Sequence, residues 1–227
     1  MNRIQVIRRY TASERANHWL VAISFILTAL SGLAFFHPGL YWLSNLFGGG
    51  TWARILHPYF AVVMALAFLV WFVRIRRDMH ITAQDRKWAL TVPDMLRNRM
   101  DKVPATGKYN FGQKMLARTQ LVLILLLLLT GVLIWQPLFA GAFSVELRRV
   151  AVLVHSLAAF AAVLSLIVHV YAAIWTKGAI GGMLSGKVST DWARHHNRLW
   201  YEDKMQHGDS TQPTSDLSGT FSSKAAS

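Results

Sequence analysis

The stretch Val150–Trp175, VAVLVHSLAAFAAVLSLIVHVYAAIW, decides the fold. It has no Asp, Glu, Lys or Arg, and it is long enough to cross the hydrocarbon core of a bilayer as a helix, which takes about 20 residues. It also contains His155 and His169, and an ionisable residue within a membrane helix marks a functional site by default. Helical geometry puts the two histidines about 40° apart around the axis and ~21 Å apart along it. Both therefore lie on one face, with one near each end of the span.

Three further segments are long and almost uncharged: 19–36, 55–73 and 119–135. Each has the length of a transmembrane helix, roughly 17–25 residues. Together with 150–175 they predict an all-α membrane protein, a bundle of four transmembrane helices. The membrane domain covers 1–205.

The positions of the Lys and Arg residues predict the orientation. The segment before the first span, the loop 74–118 and the segment after the last span carry 21 of the 24 Lys and Arg residues, and the other two loops carry three. Cytoplasmic loops are enriched in these residues, so we expect both termini and the loop 74–118 in the cytoplasm. The net charge of +13 is then explained by topology and anionic lipid, and nucleic acid is not an expected partner.

Composition removes other classes of site. The 227 residues contain no cysteine, which excludes disulfides, thiolate metal sites and cysteine-held iron–sulfur clusters on this chain. In the cytoplasmic loop, Trp88–Met100 is a candidate amphipathic helix. From residue 206 to 227 the chain is rich in Gly, Ser, Thr and Asp, and this composition predicts a disordered tail.

Topology pairs the histidines of the spans. His18 precedes the first span and lies at the cytoplasmic level with His169, while His57 opens the second span and lies at the outer level with His155. A lone histidine at a helix end is usually an interfacial side chain. Two pairs at matching depths instead favour two six-coordinate haems, since each imidazole supplies one axial nitrogen. Helix bundles commonly hold such sites in their cores.

Several segments resemble the gamma subunit of membrane-bound respiratory formate dehydrogenase, a dihaem cytochrome b. The most specific is Gly107–Met115, GKYNFGQKM, and the resemblance covers about residues 5–205. Other matching segments surround the histidines and follow the last span: 15–19, 54–58, 130–135, 153–171, 175–178 and 186–189.

This resemblance implies a role for each histidine. His57 and His155 would ligate an outer haem b, and His18 and His169 an inner one. It also implies a quinone, menaquinone or ubiquinone, beside the inner haem.

The quinone would lie near His169 and Asn110, with Gln113 and Lys114 as neighbours. A quinone carbonyl needs hydrogen-bond donors, which these side chains provide.

The resemblance further implies partners and location. In that family an alpha subunit carries molybdenum or tungsten, and a beta subunit carries iron–sulfur clusters. Electrons would pass from the beta subunit through the two haems to the quinone in a bacterial inner membrane, without formate chemistry on this chain. The number of copies in the complex stays open.

Two alternatives compete with this interpretation. One is the cytochrome b subunit of a hydrogenase or of another membrane oxidoreductase, against which the Gly107–Met115 segment argues. The other is a small transporter or channel that uses the histidines as a proton relay. Four helices without an inverted repeat make the second alternative poor.

Overall fold

The computed structural model describes residues 4–97, 99, 103–207 and 212–214. In chain order its helices and strands are β1 (Ile4–Arg8), α1 (Ala12–Phe36), α2 (Gly50–Ile75), α3 (Ala83–Leu90), α4 (Val92–Leu96), α5 (Phe111–Ile134), α6 (Val145–Trp175), α7 (Ala179–Ser185), β2 (Lys187–Ser189), α8 (Thr190–His196), α9 (Arg198–Gln206) and β3 (Gln212–Thr214). Short 3-10 helices cover Pro38–Phe47 and Ala140–Ala142.

Among the residues that the structure describes, helices α1, α2, α5 and α6 are the four that are long and apolar enough to cross a membrane, which confirms the predicted helical membrane fold. Each begins five to eight residues before the predicted span. For α1 the reason is capping. At α1 the Thr11 hydroxyl accepts from the Glu14 nitrogen at 3.2 Å, and the Glu14 carboxylate accepts from the Thr11 nitrogen at 2.7 Å. This reciprocal pair satisfies backbone donors that the helix itself leaves open, so the helix extends beyond its apolar part.

The described residues form two compact units, one of which consists of 16–74 and 117–169 and holds most of the four long helices. Its core contains Phe25, Met64, Phe68 and Ile124 together with small residues such as Ala162. Most other large apolar side chains remain exposed; the exposed fraction is 61% at Leu66 and 62% at Leu157. Water disfavours such a surface and lipid does not, so the outer face of this unit suits a bilayer.

Two glycines shape the connection between α1 and α2. Gly48 and Gly49 have φ of +86° and +101°, a conformation that only glycine adopts without strain. They follow the 3-10 helix Pro38–Phe47, on which Tyr41 and Trp42 are exposed. Exposed Tyr and Trp at this position are typical of a membrane interface.

The other unit consists of the chain up to Arg15, residues 75–116 and the chain from Val170. It contains a small antiparallel sheet in the order β2-β1-β3, which the sequence analysis did not predict. Ile7 and Val188, paired across β1 and β2, pack with Ala193 and Trp200 in a core of their own.

Two local predictions need correction. The expected helix Trp88–Met100 is instead α3 and α4, which meet at Thr91, while Met100 lies outside the described residues. Pro93 lacks a backbone N–H and fits the first turn of a new helix better than the interior of a continuous one. Within the tail, Gln212–Thr214 pair with β1, whose free edge offers backbone partners. The tail residues 208–211 and 215–227 lie outside the described part.

Candidate functional site

The structure brings the four membrane histidines together as the two pairs expected from helix direction. The His57 and His155 rings have centroids 6.3 Å apart and planes at 69° to each other. The His18 and His169 rings have centroids 6.4 Å apart and planes at 52°. All four rings lie in the same compact unit and are half-buried.

These separations fit one metal ion between the rings of each pair. A bond from an imidazole nitrogen to a metal is about 2 Å long. Two rings on opposite sides of one ion therefore have centroids roughly 6 Å apart. Direct hydrogen bonding between the rings would require a closer approach, because the two nitrogens would then be about 3 Å apart.

One nitrogen of His57 is already occupied by the protein. Its Nδ1 lies 3.0 Å from the Ser31 hydroxyl and 3.1 Å from the Thr28 carbonyl oxygen. A carbonyl oxygen only accepts, so Nδ1 is the donor and carries the proton. The Nε2 of His57 is then unprotonated, which is the form of imidazole that binds a metal.

His155 is held in the same way. Its Nδ1 lies 2.9 Å from the Thr130 hydroxyl on α5. Neither Ser31 nor Thr130 was a candidate site residue in the sequence analysis. The signal that could have found them is a hydroxyl residue followed by glycine within an apolar helix, at Ser31–Gly32 and again at Thr130–Gly131.

The glycines of these two dipeptides lie directly against the histidine rings. A methyl group at Gly32 would approach His57 Cε1 to 3.0 Å, and one at Gly131 would approach His155 Cε1 to 3.5 Å. The absence of side chains therefore gives these rings their space.

The donor set indicates the kind of metal group. In the part of the chain that the structure describes, no cluster of three or more His, Cys, Asp or Glu residues could hold a metal. A bare zinc ion usually takes at least three protein ligands. Two facing imidazoles suit a metal whose other ligands come from a macrocycle, as in a haem with two axial histidines.

Comparison with known proteins agrees with this chemistry. The family model described as prokaryotic cytochrome b561 matches residues 9–186, most of the chain. The chain belongs to this cytochrome b family. Family membership makes it a multi-pass membrane protein with an electron-transfer role, and it implies haem b as the cofactor.

Similar proteins within the family cover nearly the whole chain. The formate dehydrogenase cytochrome b556(fdo) subunit of Escherichia coli is 43% identical over 203 residues, which are 89% of this chain and 95% of that protein. The nitrate-inducible cytochrome b556(Fdn) subunit of E. coli is 40% identical over 89% of this chain and 94% of its own length. A formate dehydrogenase cytochrome b556 subunit of Haemophilus influenzae is 36% identical over 90% and 85%. A bacterial inner membrane fits these relatives.

The predicted quinone residues Asn110 and Gln113 form the N-terminal cap of α5. Asn110 Oδ1 accepts from the Gln113 nitrogen at 2.9 Å, and Gln113 Oε1 accepts from the Asn110 nitrogen at 3.1 Å. The cap uses the two side-chain oxygens, so it leaves both amide NH2 groups as donors.

Lys114, the third predicted neighbour of the quinone, lies in a buried ion pair. Its Nζ is 2.7 Å from Asp85 Oδ2 and 2.9 Å from the His80 carbonyl oxygen. Burial raises the pKa of Asp85, but the bonds from Lys114 and Thr82 outweigh it and hold that pKa below its ordinary value. Lys114 therefore connects the start of α5 to α3 and to the segment before α3, a role that was not predicted from the sequence.

Proposed function

We propose that this chain is the membrane cytochrome b subunit of a formate dehydrogenase, and that it conducts electrons through two haem b groups to a quinone. The observation that carries this proposal is the presence of two imidazole pairs, each with the ring separation of a single bridged metal. The relatives named as formate dehydrogenase subunits supply the identity of the complex.

In this proposal His57 and His155 hold one haem, and His18 and His169 hold the other. Each haem, when bound, accepts and releases one electron. The protein would contribute the imidazole nitrogens that hold each haem, and the contacts to Nδ1 would orient the rings of His57 and His155. Since His155 and His169 are ~21 Å apart along α6, the two haems together would span much of the bilayer.

The distribution of Lys and Arg supports an orientation in which the His57 and His155 pair faces the outer side. Electrons would enter there and leave at the cytoplasmic side. The chain has no cysteine for iron–sulfur clusters, so formate oxidation and delivery of electrons belong to partner subunits, one with molybdenum or tungsten and one with iron–sulfur clusters.

We further propose that the quinone is held through the amide groups of Asn110 and Gln113. The helix cap does not use the side-chain NH2 groups of these two residues, and a quinone carbonyl accepts hydrogen bonds from such groups. The Lys114 ammonium is paired with Asp85, so its contribution to the quinone site would be to hold the start of α5 against α3. Participation of His169 in quinone binding, besides haem ligation, stays a prediction.

Purification through a tag on this chain tests the complex and its haem content together. We expect about two haems per chain, extractable with acid-acetone because no cysteine can form thioether links, and co-purification of subunits with formate-to-dye activity. One haem per chain would contradict the two-haem proposal. Co-purification of hydrogenase activity in place of formate-to-dye activity would show that the partner is a hydrogenase and not a formate dehydrogenase.

Asn110 variants test the quinone site separately from the helix cap. Asn110→Asp keeps the capping oxygen, which Asp supplies as well as Asn, but removes the amide donor. We expect formate-to-quinone activity to fall at least tenfold, which corresponds to about 1.4 kcal/mol, while formate-to-dye activity stays normal. Asn110→Ser, which keeps both a capping oxygen and a hydroxyl donor, is the matched control and should retain more activity. Normal quinone reduction by Asn110→Asp would remove Asn110 from the site.

A further inference from the structure

Within the described part of the chain, the two hydroxyl contacts occur at only one of the two histidine pairs. Ser31 on α1 contacts His57 Nδ1, and Thr130 on α5 contacts His155 Nδ1, at 3.0 and 2.9 Å. In contrast, His18 Nδ1 is buried and has no hydrogen-bond partner among the described residues. The ring-to-ring distances of the pairs are nearly equal, so the difference lies in how the rings are bonded.

Both hydroxyls are constrained to act as acceptors. The Ser31 hydroxyl lies 2.8 Å from the Leu27 carbonyl oxygen, and the Thr130 hydroxyl lies 2.7 Å from the Leu126 carbonyl oxygen. A hydroxyl has one proton, and the carbonyl one turn earlier takes it. The lone pairs of the hydroxyl are then left for the imidazole N–H.

We propose that Ser31 and Thr130 are positioning residues whose hydroxyls accept from Nδ1 of His57 and His155 and make these two histidines stronger electron donors to the metal than His18. This inference rests on the proposed function, because it concerns the haem that the pair would hold. An acceptor on the outer N–H of a ligating imidazole raises its basicity. A more basic ligand stabilises the ferric form over the ferrous form and lowers the reduction potential.

The hydroxyl bonds to His57 and His155 have a consequence for the direction of electron flow between the two haems. The hydroxyl bonds would lower the potential of the haem at His57 and His155, whereas His18 Nδ1 has no acceptor among the residues that the structure describes. This contribution favours electron transfer from the first haem to the second, which is the direction from the proposed entry side to the quinone side.

The test uses the haem-loaded complex and an optical redox titration. Ser31→Ala and Thr130→Val each remove one acceptor, and Thr130→Val keeps the shape of the side chain. We expect one of the two haem components to shift upward and the other to stay. A tenfold change in the ratio of ferric to ferrous affinity would appear as about 59 mV for a one-electron couple.

A matched control is available on α1. Ser24 is buried like Ser31, and among the described residues its hydroxyl bonds only to the Leu20 and Val21 carbonyls. Ser24→Ala therefore removes a hydroxyl of the same kind without touching a histidine. We expect both haem potentials to stay at their wild-type values in this variant.

The hydroxyl-retaining variants Ser31→Thr and Thr130→Ser separate bonding from packing. Retention of the wild-type potential in these two variants, with a shift in Ser31→Ala and Thr130→Val, supports the proposal. If Ser31→Ala and Thr130→Val lose one haem outright while Ser31→Thr and Thr130→Ser keep it, the result also supports a positioning role. Unchanged potentials in Ser31→Ala and Thr130→Val, or haem loss in Ser31→Thr and Thr130→Ser, would overturn it. Absence of two titrating haems in the wild-type protein would instead overturn the proposed function.

Discussion

The two histidine pairs share a ring separation but are held by different means. At His57 and His155 a hydroxyl from the neighbouring helix bonds each ring directly. At His18 and His169 the nearby bonds join helix to helix. The Asn17 amide donates to the Ala67 carbonyl at 2.8 Å.

A second bond of this kind connects α5 with α6. The Gln120 amide lies 2.6 Å from the Ser165 hydroxyl, one helical turn before His169. The comparison shows two ways to position a metal-binding imidazole: by a bond to the ring itself, or by fixing the backbone that carries it. Only the first way reaches the electronic properties of the ligand.

Replacement of the histidines should have the largest effect of all the substitutions, because it removes a haem. We expect His57→Ala and His155→Ala to lose the same haem, and His18→Ala and His169→Ala to lose the other, because a ring can meet only the partner at its own depth. Haem per chain should fall by about half in each variant, as measured by a pyridine haemochrome assay, since a six-coordinate haem needs both axial ligands.

Redox titration then shows which component remains. His195→Ala is the control, since that side chain is exposed in the other compact unit. Loss of the same component in His155→Ala and His18→Ala would break the pairing.

Much of this arrangement was predictable from the sequence. The spacing of His155 and His169 on one apolar helix, and the alternating direction of four spans, are enough to define two levels and two pairs. Length and apolar character are local properties of the chain, so the spans were found as well. The starts of α1 and α5 were missed because hydropathy does not register caps, although the patterns Thr11-x-x-Glu14 and Asn110-x-x-Gln113 are visible in the sequence.

Other features depend on contacts between distant residues. Lys114 looked like one more cytoplasmic cation, and nothing in the sequence shows that Asp85, 29 positions earlier, buries it in an ion pair. The bond of Ser31 to His57 spans 26 positions for the same reason. The small sheet was missed because β2 has only three residues and β1 five, too few for a clear alternating pattern.

Replacement of Gly32 and Gly131, which lie beside His57 and His155, should have an intermediate effect on haem binding. The effect should differ between the two glycines. Gly32→Ala brings a methyl to 3.0 Å from His57 Cε1, which forces the ring to move by a few tenths of an ångström. Overpacking of this kind costs about 1–3 kcal/mol. Gly131→Ala brings its methyl to 3.5 Å from His155, an ordinary contact, and should stay within about 0.5 kcal/mol of wild type.

Thermal loss of haem absorption measures this difference. The temperature at which one haem component is released should fall in Gly32→Ala and change little in Gly131→Ala. Equal effects of the two substitutions would contradict the difference in clearance between the two rings.

The smallest effects should come from the helix-to-helix bonds at the other pair. Asn17→Ala removes one side-chain bond and Gln120→Ala removes two, to Ala162 and Ser165, each worth about 0.5–1.5 kcal/mol, and none of these bonds is to a histidine ring. We expect earlier thermal release of the haem at His18 and His169, with the midpoint potential of that haem unchanged, because the ligands keep their bonding.

The double variant Asn17→Ala with Gln120→Ala tests whether the bonds of these two side chains act independently. The bonds of the two side chains lie on different helix pairs and share no partner, so their effects should add to within about 0.5 kcal/mol. Ser156→Ala is the matched control, because that hydroxyl bonds only to the Val152 carbonyl on its own helix. If Asn17→Ala or Gln120→Ala shifted a midpoint potential without lowering the release temperature, the backbone bonds at this end would also act on the ligands. The two histidine pairs would then not differ in whether the surrounding hydrogen bonds affect the electronic properties of the ligands.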